Sequence, residues 1–402
     1  MTAVIMAGGK GTRMQQVHTD IPKPMIPVLG RPVLEYQIES LKKSGIVQIF
    51  IITGYLKDVI IRYFGNGSRF GVQVHYIEEE QPLGTAGALF YLRDKIKDDF
   101  LLLFGDLMLD VDFVRFVKFH RQHNGCVTLC AHPNTHPFDS DLIAADESGC
   151  VRQILLKDRQ RDFLYHNFTN AGLYCMSPEV FQCVPVPAKR DLEKDVLIPL
   201  IEQSAVYAYK TTEYIRDMGT PDRLRKTEED AGNGIITNKN LRNSQKIIFL
   251  DSSVILKNRT EVLPGTANAV KRINASEYLA AAVVNLEGIY ADEKFIEIQK
   301  IIETELGNQG AYLDMFLKCY YGSEMNFRSI KTEKKDFQNF DEMLACVRTF
   351  YHIEAASAWY VQQAGTKLRT CYQNGTECVW SDSGAYRNTY DFPYAVKTIL
   401  SR

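Results

Sequence analysis

The stretch Ala3-Val4-Ile5-Met6-Ala7-Gly8-Gly9-Lys10-Gly11-Thr12-Arg13, followed nine residues later by Pro22-Lys23-Pro24-Met25, decides how this chain is read. Val4-Ile5-Met6 is a short apolar run of the kind that forms a strand buried on both faces. It runs into Gly8, Gly9 and Gly11. Glycines at a strand's carboxyl end let the backbone curl so that several N–H groups point inward, a cradle for phosphate oxygens. Ala7, Thr12 and Arg13 extend the same turn, and the Arg13 guanidinium offers a fork of donors that fits a phosphate bidentately. Lys23, stiffened between two prolines, adds a positioned point charge. Glycines alone would also suit an ordinary strand-to-helix turn. The run is not a P-loop, because G-x-x-x-x-G-K-[ST] is absent, and not a dinucleotide fingerprint, because Met14 stands where the third glycine belongs.

Outward from this segment, strands and helices alternate through the first 230 residues. Gln48–Thr53, Val72–Ile77 and Phe100–Phe104 are short apolar or β-branched runs. Helical patterns lie at Val33–Lys43, Lys57–Phe64, Gly84–Asp94 and Asp112–His123. This predicts an α/β fold, a doubly wound Rossmann-like domain over residues 1–232, with ligands at the strands' carboxyl ends. Residues 233–246, rich in Gly, Asn and Ser, read as a linker. A second, smaller α/β domain follows over 247–402.

The chain has 402 residues, a formal net charge of −2 and no basic block. Two or three domains are expected from that length. The charge balance argues against nucleic acid or a membrane surface as the main partner. No apolar window is long enough for a transmembrane helix, and the N-terminus reads as strand and glycine loop rather than a leader. The nine cysteines are scattered without metal spacing, which suits a reducing cytoplasm and no zinc. His18, His120, His123, His132 and His136 show no metal-ligand pattern.

G-G-K-G-T-R followed by P-K-P-M resembles the signature of the sugar-1-phosphate nucleotidyltransferases. The resemblance continues in order through Glu80-Gln81-Pro82-Leu83-Gly84-Thr85-Ala86-Gly87, Gly105-Asp106, Asn170-Ala171-Gly172 and Asp217-Met218-Gly219-Thr220-Pro221. It implies a nucleoside triphosphate and a sugar 1-phosphate as substrates, with release of pyrophosphate. Both are anions, so positioning and charge neutralisation should supply most of the acceleration, and Mg²⁺ is the natural neutraliser. By resemblance, Arg13 and Lys23 serve the reacting phosphates, and Asp106 and Asp217 hold the metal. Ala7, Gly8, Gly9, Gly11, Thr12, Arg13, Gln81, Gly84 and Thr85 contact the nucleotide. Lys157, Asn170, Gly172 and Glu193 attend the sugar phosphate. Leu156 precedes Lys157 where the family has a glutamate, which points to an altered sugar. Glu193 also begins a dense charge run, and a solvated helix start is an equal reading of it.

Asp20-Ile21-Pro22-Lys23-Pro24-Met25 resembles the version of this motif in guanylyltransferases acting on D-glycero-D-manno-heptose 1-phosphate, which makes GTP and a manno-heptose 1-phosphate the first expectation. Mannose 1-phosphate with GTP is the nearest alternative, and transfer from dTTP, UTP or CTP stays open. So does a catalytically silent sugar-nucleotide sensor.

In the second domain, Ile247–Asp251 reads as a strand ending in aspartate, Leu263-Pro264-Gly265 opens a helix, and Tyr278–Asn285 is a further strand. This resembles the haloacid-dehalogenase superfamily, in particular its histidinol-phosphate and heptose-bisphosphate phosphatases. Those enzymes need D-x-D; here the segment is Asp251-Ser252-Ser253. The later G-D metal ligand is replaced within Trp359–Gln363, Val284 precedes Asn285 where Thr or Ser is expected, Lys334 or Lys335 would supply the lysine, and the zinc loop is reduced to Cys319. Without the second aspartate the leaving group lacks a proton donor, a loss of about 10²–10⁴-fold in rate. The expectation is a degenerate phosphatase without turnover, acting through regulation, docking or a homodimer contact.

Overall fold

The computed structural model describes residues 1–9, 20–158, 160–286, 291–320, 340–353, 357–363, 377–381 and 392–401. Contacts group the chain into two compact units. One comprises Met1–His132, Ile143–Leu155 and Asn170–Asn240; the other comprises Pro133–Leu142, Leu156–Thr169 and Leu241–Arg402. Two stretches expected within the first domain, 133–142 and 156–169, therefore group with the C-terminal half.

At the centre of the first unit lies the strand Thr2–Ala7, paired in parallel with Gln48–Thr53 on one side and Phe100–Phe104 on the other. Gln73–Glu78 extends the sheet in parallel beyond Gln48–Thr53. Ala3, Val4 and Ile5 have no solvent exposure, which is why an uninterrupted apolar run, rather than an alternating one, specifies this position. The sheet is mixed, not wholly parallel: Phe168–Met176 runs antiparallel to Phe100–Phe104. The residue pattern of a strand does not encode which way it runs against its neighbour, so the sequence could not show this reversal.

Helix Val33–Lys43 lays Leu34, Ile38 and Leu41 on the sheet, and carries Lys42 and Lys43 in its last turn, where positive charge suits the helix dipole. It stops at Gly45 (φ +77°). The helix expected over Gly84–Asp94 is confined to a 3₁₀ stretch, Gly87–Leu92, because Gly84 (φ +76°) and the residues after it are tied to another loop. The expected linker is also ordered. It contains helix Ile235–Asn238, started by Gly234 at φ +73°, and Asn240 is buried with its amide on Asp110 Oδ1 at 2.9 Å. The Gly and Asn residues there serve as turn and cap chemistry rather than slack.

The second unit is built on a parallel sheet ordered Met315–Tyr320, Tyr278–Leu286, Lys246–Asp251, Ala358–Gln363 and Glu377–Ser381. Asp251 ends its central strand. Gly265 (φ +84°) opens helix Thr266–Asn274, whose Ala269, Val270 and Ile273 enter the core with Ile298, Ile302 and Leu306 of helix Ala291–Asn308. Among the described residues no helix is long and apolar enough to cross a membrane.

Candidate active site

In the first unit the carboxyl ends of three adjacent parallel strands each run into a glycine: Gly8, Gly54 and Gly105. The absence of side chains lets these ends interlock. Gly105 donates its N–H to Met6 O at 2.9 Å, and Tyr55 donates to Gly8 O at 3.3 Å. A Cβ on Gly105 would lie 3.0 Å from both Met6 O and Pro24 Cγ, so the turn before Asp106 packs directly on the Pro22-Lys23-Pro24 segment.

That packing delivers Lys23 to Asp106. The Lys23 ammonium donates to Asp106 Oδ2 at 3.1 Å, with both side chains mostly covered. Met25 N–H closes on Pro22 O at 2.8 Å, which holds the short turn carrying the lysine. The other Asp106 oxygen, Oδ1, has no protein partner among the described residues.

Asp217 arrives from the opposite strand. Leu107–Asp110 pairs antiparallel with Tyr214–Asp217, with Asp217 opposite Leu107, and Met218 N–H donates to Asp106 O at 2.8 Å. The two aspartates therefore sit on facing, hydrogen-bonded segments. Asp217 Oδ1 accepts from Gly219 N at 3.1 Å and from Arg223 at 2.5 Å. No group of three or more His, Cys, Asp or Glu residues converges among the described residues. Mg²⁺ dehydrates reluctantly and is usually held by one or two carboxylates together with substrate phosphates and water, and the hard oxygen donors of Asp106 and Asp217 fit that pattern.

Gln37 is a member of this arrangement that sequence reasoning missed. Fully buried on helix Val33–Lys43, it donates from Nε2 to Phe104 O at 2.9 Å and to Leu107 O at 2.7 Å. These carbonyls flank Gly105-Asp106, so one amide clamps both sides of the aspartate's turn. A glutamine on the apolar face of an amphipathic helix was the available signal, because buried polar groups are retained where they have partners.

Gly8 faces Glu79, a second residue not singled out before. A Cβ on Gly8 would lie 2.2 Å from Glu79 Oε2. Glu79 Oε1 accepts from Leu83 N–H at 3.1 Å, and burial raises its carboxyl pKa. Gly8 thereby packs against the residue that anchors the loop carrying Gln81, Gly84 and Thr85. Gln81 is exposed. Gly84 backs onto Arg190, whose carbonyl would be 2.3 Å from an added Cβ, and Thr85 Oγ1 accepts from Leu192 N–H at 2.7 Å. Thr85 and Gly84 are thus occupied in binding this loop to Arg190–Leu192.

Arg190–Leu192 leads into Glu193, at the start of the π-helical turn Glu193–Leu197, a local widening often found at functional sites. Asn170 donates to Glu193 Oε1 at 2.9 Å and to the Tyr174 hydroxyl at 2.7 Å. Gly172 (φ +73°) donates to Asn170 Oδ1 at 3.3 Å, and its Cα packs so that a Cβ would lie 2.9 Å from Phe104. Asn170, Gly172 and Glu193 come together, beside the strand that ends at Gly105-Asp106. Ala7 is buried at the end of the central strand, and among the described residues nothing lies within 4 Å of a Cβ placed on Gly9. Gly11, Thr12 and Arg13 lie outside the described residues. Lys157 belongs to the second unit, where its backbone N–H donates to Asp141 Oδ1 at 2.7 Å and its ammonium lies 3.8 Å from Asp139.

The family model described as "Nucleotidyl transferase" matches residues 2–234. The chain belongs to this nucleotidyl transferase family. It is 32% identical over 245 residues to a mannose-1-phosphate guanylyltransferase of Mycobacterium tuberculosis, covering 60% of this chain and 67% of that protein. It is 30% identical over 233 residues to the D-glycero-alpha-D-manno-heptose 1-phosphate guanylyltransferase of Aneurinibacillus thermoaerophilus, covering 57% of this chain and 98% of that protein. The crystal structure of HddC from Yersinia pseudotuberculosis superposes with a TM-score of 0.50 at 27% identity, covering 57% of this chain and 99% of that one.

Proposed function

We propose that this chain transfers a nucleotidyl group from a nucleoside triphosphate, GTP in the first instance, to a sugar 1-phosphate, giving a sugar nucleotide and pyrophosphate. The observation that carries the reading is the Lys23–Asp106 pair at 3.1 Å, set at the carboxyl ends of the central strands beside the glycine turn. It joins the two sequence motifs that the resemblance names, and it supplies a cation and a carboxylate in one place. The relatives named as guanylyltransferases support GTP. The relative named for a manno-heptose 1-phosphate is covered almost end to end, 98%, and supports that sugar; the mannose-1-phosphate relative, 32% identical, supports mannose 1-phosphate as the second reading.

In this mechanism an oxygen of the sugar phosphate attacks the α-phosphorus in line. The new P–O bond forms as the bond from the α-phosphorus to the bridging β-oxygen breaks, and pyrophosphate leaves with that electron pair. The attacking oxygen is already anionic, so no general base is required. Lys23 and Arg13 neutralise phosphate charge, and Gly8 and Gly9 allow close backbone approach. A magnesium ion held by Asp106 and Asp217 would supply further charge stabilisation at the α-phosphate. Asn170 and Glu193 orient sugar hydroxyls. Because nucleoside triphosphates and sugar phosphates are intracellular metabolites, we place the reaction in the cytoplasm.

Residues 247–402 are proposed to be a degenerate haloacid-dehalogenase-type domain. Asp251 ends the central strand of a parallel sheet, as a nucleophile of that class would. Its carboxylate, however, accepts from the Tyr360 hydroxyl at 2.8 Å and from Ser253 N–H at 2.9 Å, and the side chain is buried. An aspartate so engaged caps a turn rather than attacking a phosphate.

The test is pyrophosphate release measured across GTP, dTTP, UTP and CTP, each with D-glycero-α-D-manno-heptose 1-phosphate, mannose 1-phosphate and glucose 1-phosphate. Release with GTP and the heptose phosphate is the expected result. Tight nucleotide binding with no release for any pair would establish the sensor alternative instead.

A further inference from the structure

Helix Ala291–Asn308 of the second unit holds a piece of chain that belongs, by sequence, to the transferase half. Glu303, only 6% exposed, accepts through Oε2 from His166 Nδ1 at 2.8 Å and from Asn167 N–H at 3.3 Å. Its Oε1 accepts from Gln299 at 2.9 Å. Next to it, Thr304 Oγ1 accepts from Tyr165 N–H at 3.1 Å and donates to Tyr165 O at 3.3 Å. One helical turn on, Gly307 leaves room for Pro137 and Asn167, whose side-chain atoms would lie 2.8 and 3.2 Å from a Cβ there.

These bonds satisfy backbone groups of the buried residues Tyr165 and Asn167. Loops normally run over the surface because their polar groups need partners, and a loop can be buried only where each N–H and C=O is met. Thr304 meets both the N–H and the C=O of Tyr165, and Glu303 meets the Asn167 N–H and the His166 imidazole. Asn167 passes the constraint on: its Nδ2 donates to Asn134 O at 2.6 Å. Arg161 ties the same segment to Pro137 O at 2.6 Å and Ser140 O at 2.7 Å. The clamped residues 165–167 lead without a break into strand Phe168–Met176, which carries Asn170. The same segment, 156–169, carries Lys157 near its start.

We propose that Glu303 and Thr304 are positioning residues for the sugar-phosphate side of the reaction: the C-terminal half acts as a clamp on the segment that carries Lys157 and leads into Asn170. This rests on the reading of the chain as a sugar-1-phosphate nucleotidyltransferase. It gives the C-terminal half a role that needs no chemistry of its own. It also accounts for a carboxylate and a hydroxyl with no part in phosphate transfer being buried on loop backbone.

The test uses the full chain and steady-state pyrophosphate release, with GTP and whichever sugar 1-phosphate of the panel the wild type turns over. Glu303→Ala removes three acceptor contacts and should raise KM for the sugar 1-phosphate by about 10-fold or more, leaving KM for GTP within about twofold. Glu303→Gln keeps an oxygen toward His166 and Asn167 and can present its amide to a flipped Gln299, so it should restore the wild-type KM. Thr304→Val, which preserves volume and deletes both Tyr165 bonds, should reproduce the selective rise and serves if Glu303→Ala does not fold. Unchanged sugar-phosphate KM in the folded variants, or equal losses for both substrates, would overturn the clamp. A wild type that releases no pyrophosphate with any sugar 1-phosphate would instead overturn the transferase reading beneath it.

Discussion

Lys23 and Asp106 stand 83 residues apart in sequence and 3.1 Å apart in space. The contact exists because Gly105 has no side chain to keep Pro24 away, and because the Lys23 turn is closed by its own backbone bond. A lysine beside a carboxylate is a weak stability element when partly exposed. Its placement at the strands' ends gives it meaning as a site.

Asp106→Asn keeps the shape of that turn and removes the charge. Pyrophosphate release should fall by at least about 10²-fold while the melting temperature stays near that of wild type. Near-normal turnover in this variant would remove Asp106 from the site.

Gln37→Leu should damage the same site from behind. It leaves the carbonyls of Phe104 and Leu107 without the amide that now meets them, at a cost of about 1–3 kcal/mol for buried polar groups left unpaired. Turnover should drop as the Asp106 turn loosens. Denaturant unfolding and pyrophosphate release, measured on one preparation, check both; a variant with wild-type values in each would show the clamp to be incidental.

His120 makes stability depend on pH in a set direction. It is buried between the hydroxyls of Thr128, 2.9 Å from Nδ1, and Ser177, 3.2 Å from Nε2. Burial lowers its pKa below the ordinary 6.5; nearby Asp99 opposes the shift, and Arg121 and His123 reinforce it. A depressed folded value means that the stabilisation is complete above the unfolded pKa. It is lost as pH falls, because the unfolded chain takes up a proton the native state refuses. Between pH 7 and about pH 5, melting temperature should fall more steeply for wild type than for His120→Gln. Parallel curves would show that His120 does not contribute.

Asp251→Asn should leave nucleotidyl transfer unchanged, and the wild type should hydrolyse no sugar phosphate. Free phosphate released from heptose or mannose phosphates by wild type, and abolished in Asp251→Asn, would contradict the reading of the second unit as catalytically silent.

Much of the frame was legible in the chain. Gln48–Thr53, Phe100–Phe104, Val33–Lys43 and Lys57–Phe64 fall where periodicity puts them, since their patterns are set by burial of one stripe or of a whole strand. What escaped depends on partners distant in sequence. The Gln37 amide meets carbonyls 67 and 70 residues away. The grouping of residues 156–169 with the C-terminal half depends on Glu303 and Thr304, more than 130 positions on. The direction of Phe168–Met176 leaves no mark in the residue pattern of the strand. The loop at Gly84 resembled a helix start because its glycine serves a close approach to Arg190 that local pattern does not encode.

The most direct test follows the α-phosphate itself. In a single turnover with GTP labelled at the α-phosphorus, Mg²⁺ and D-glycero-α-D-manno-heptose 1-phosphate, the label should pass into a sugar nucleotide in step with unlabelled pyrophosphate. The transfer should be lost in Asp106→Asn. Label that stays in GTP, or appears as GMP without a sugar nucleotide, across the whole sugar 1-phosphate panel would contradict the account.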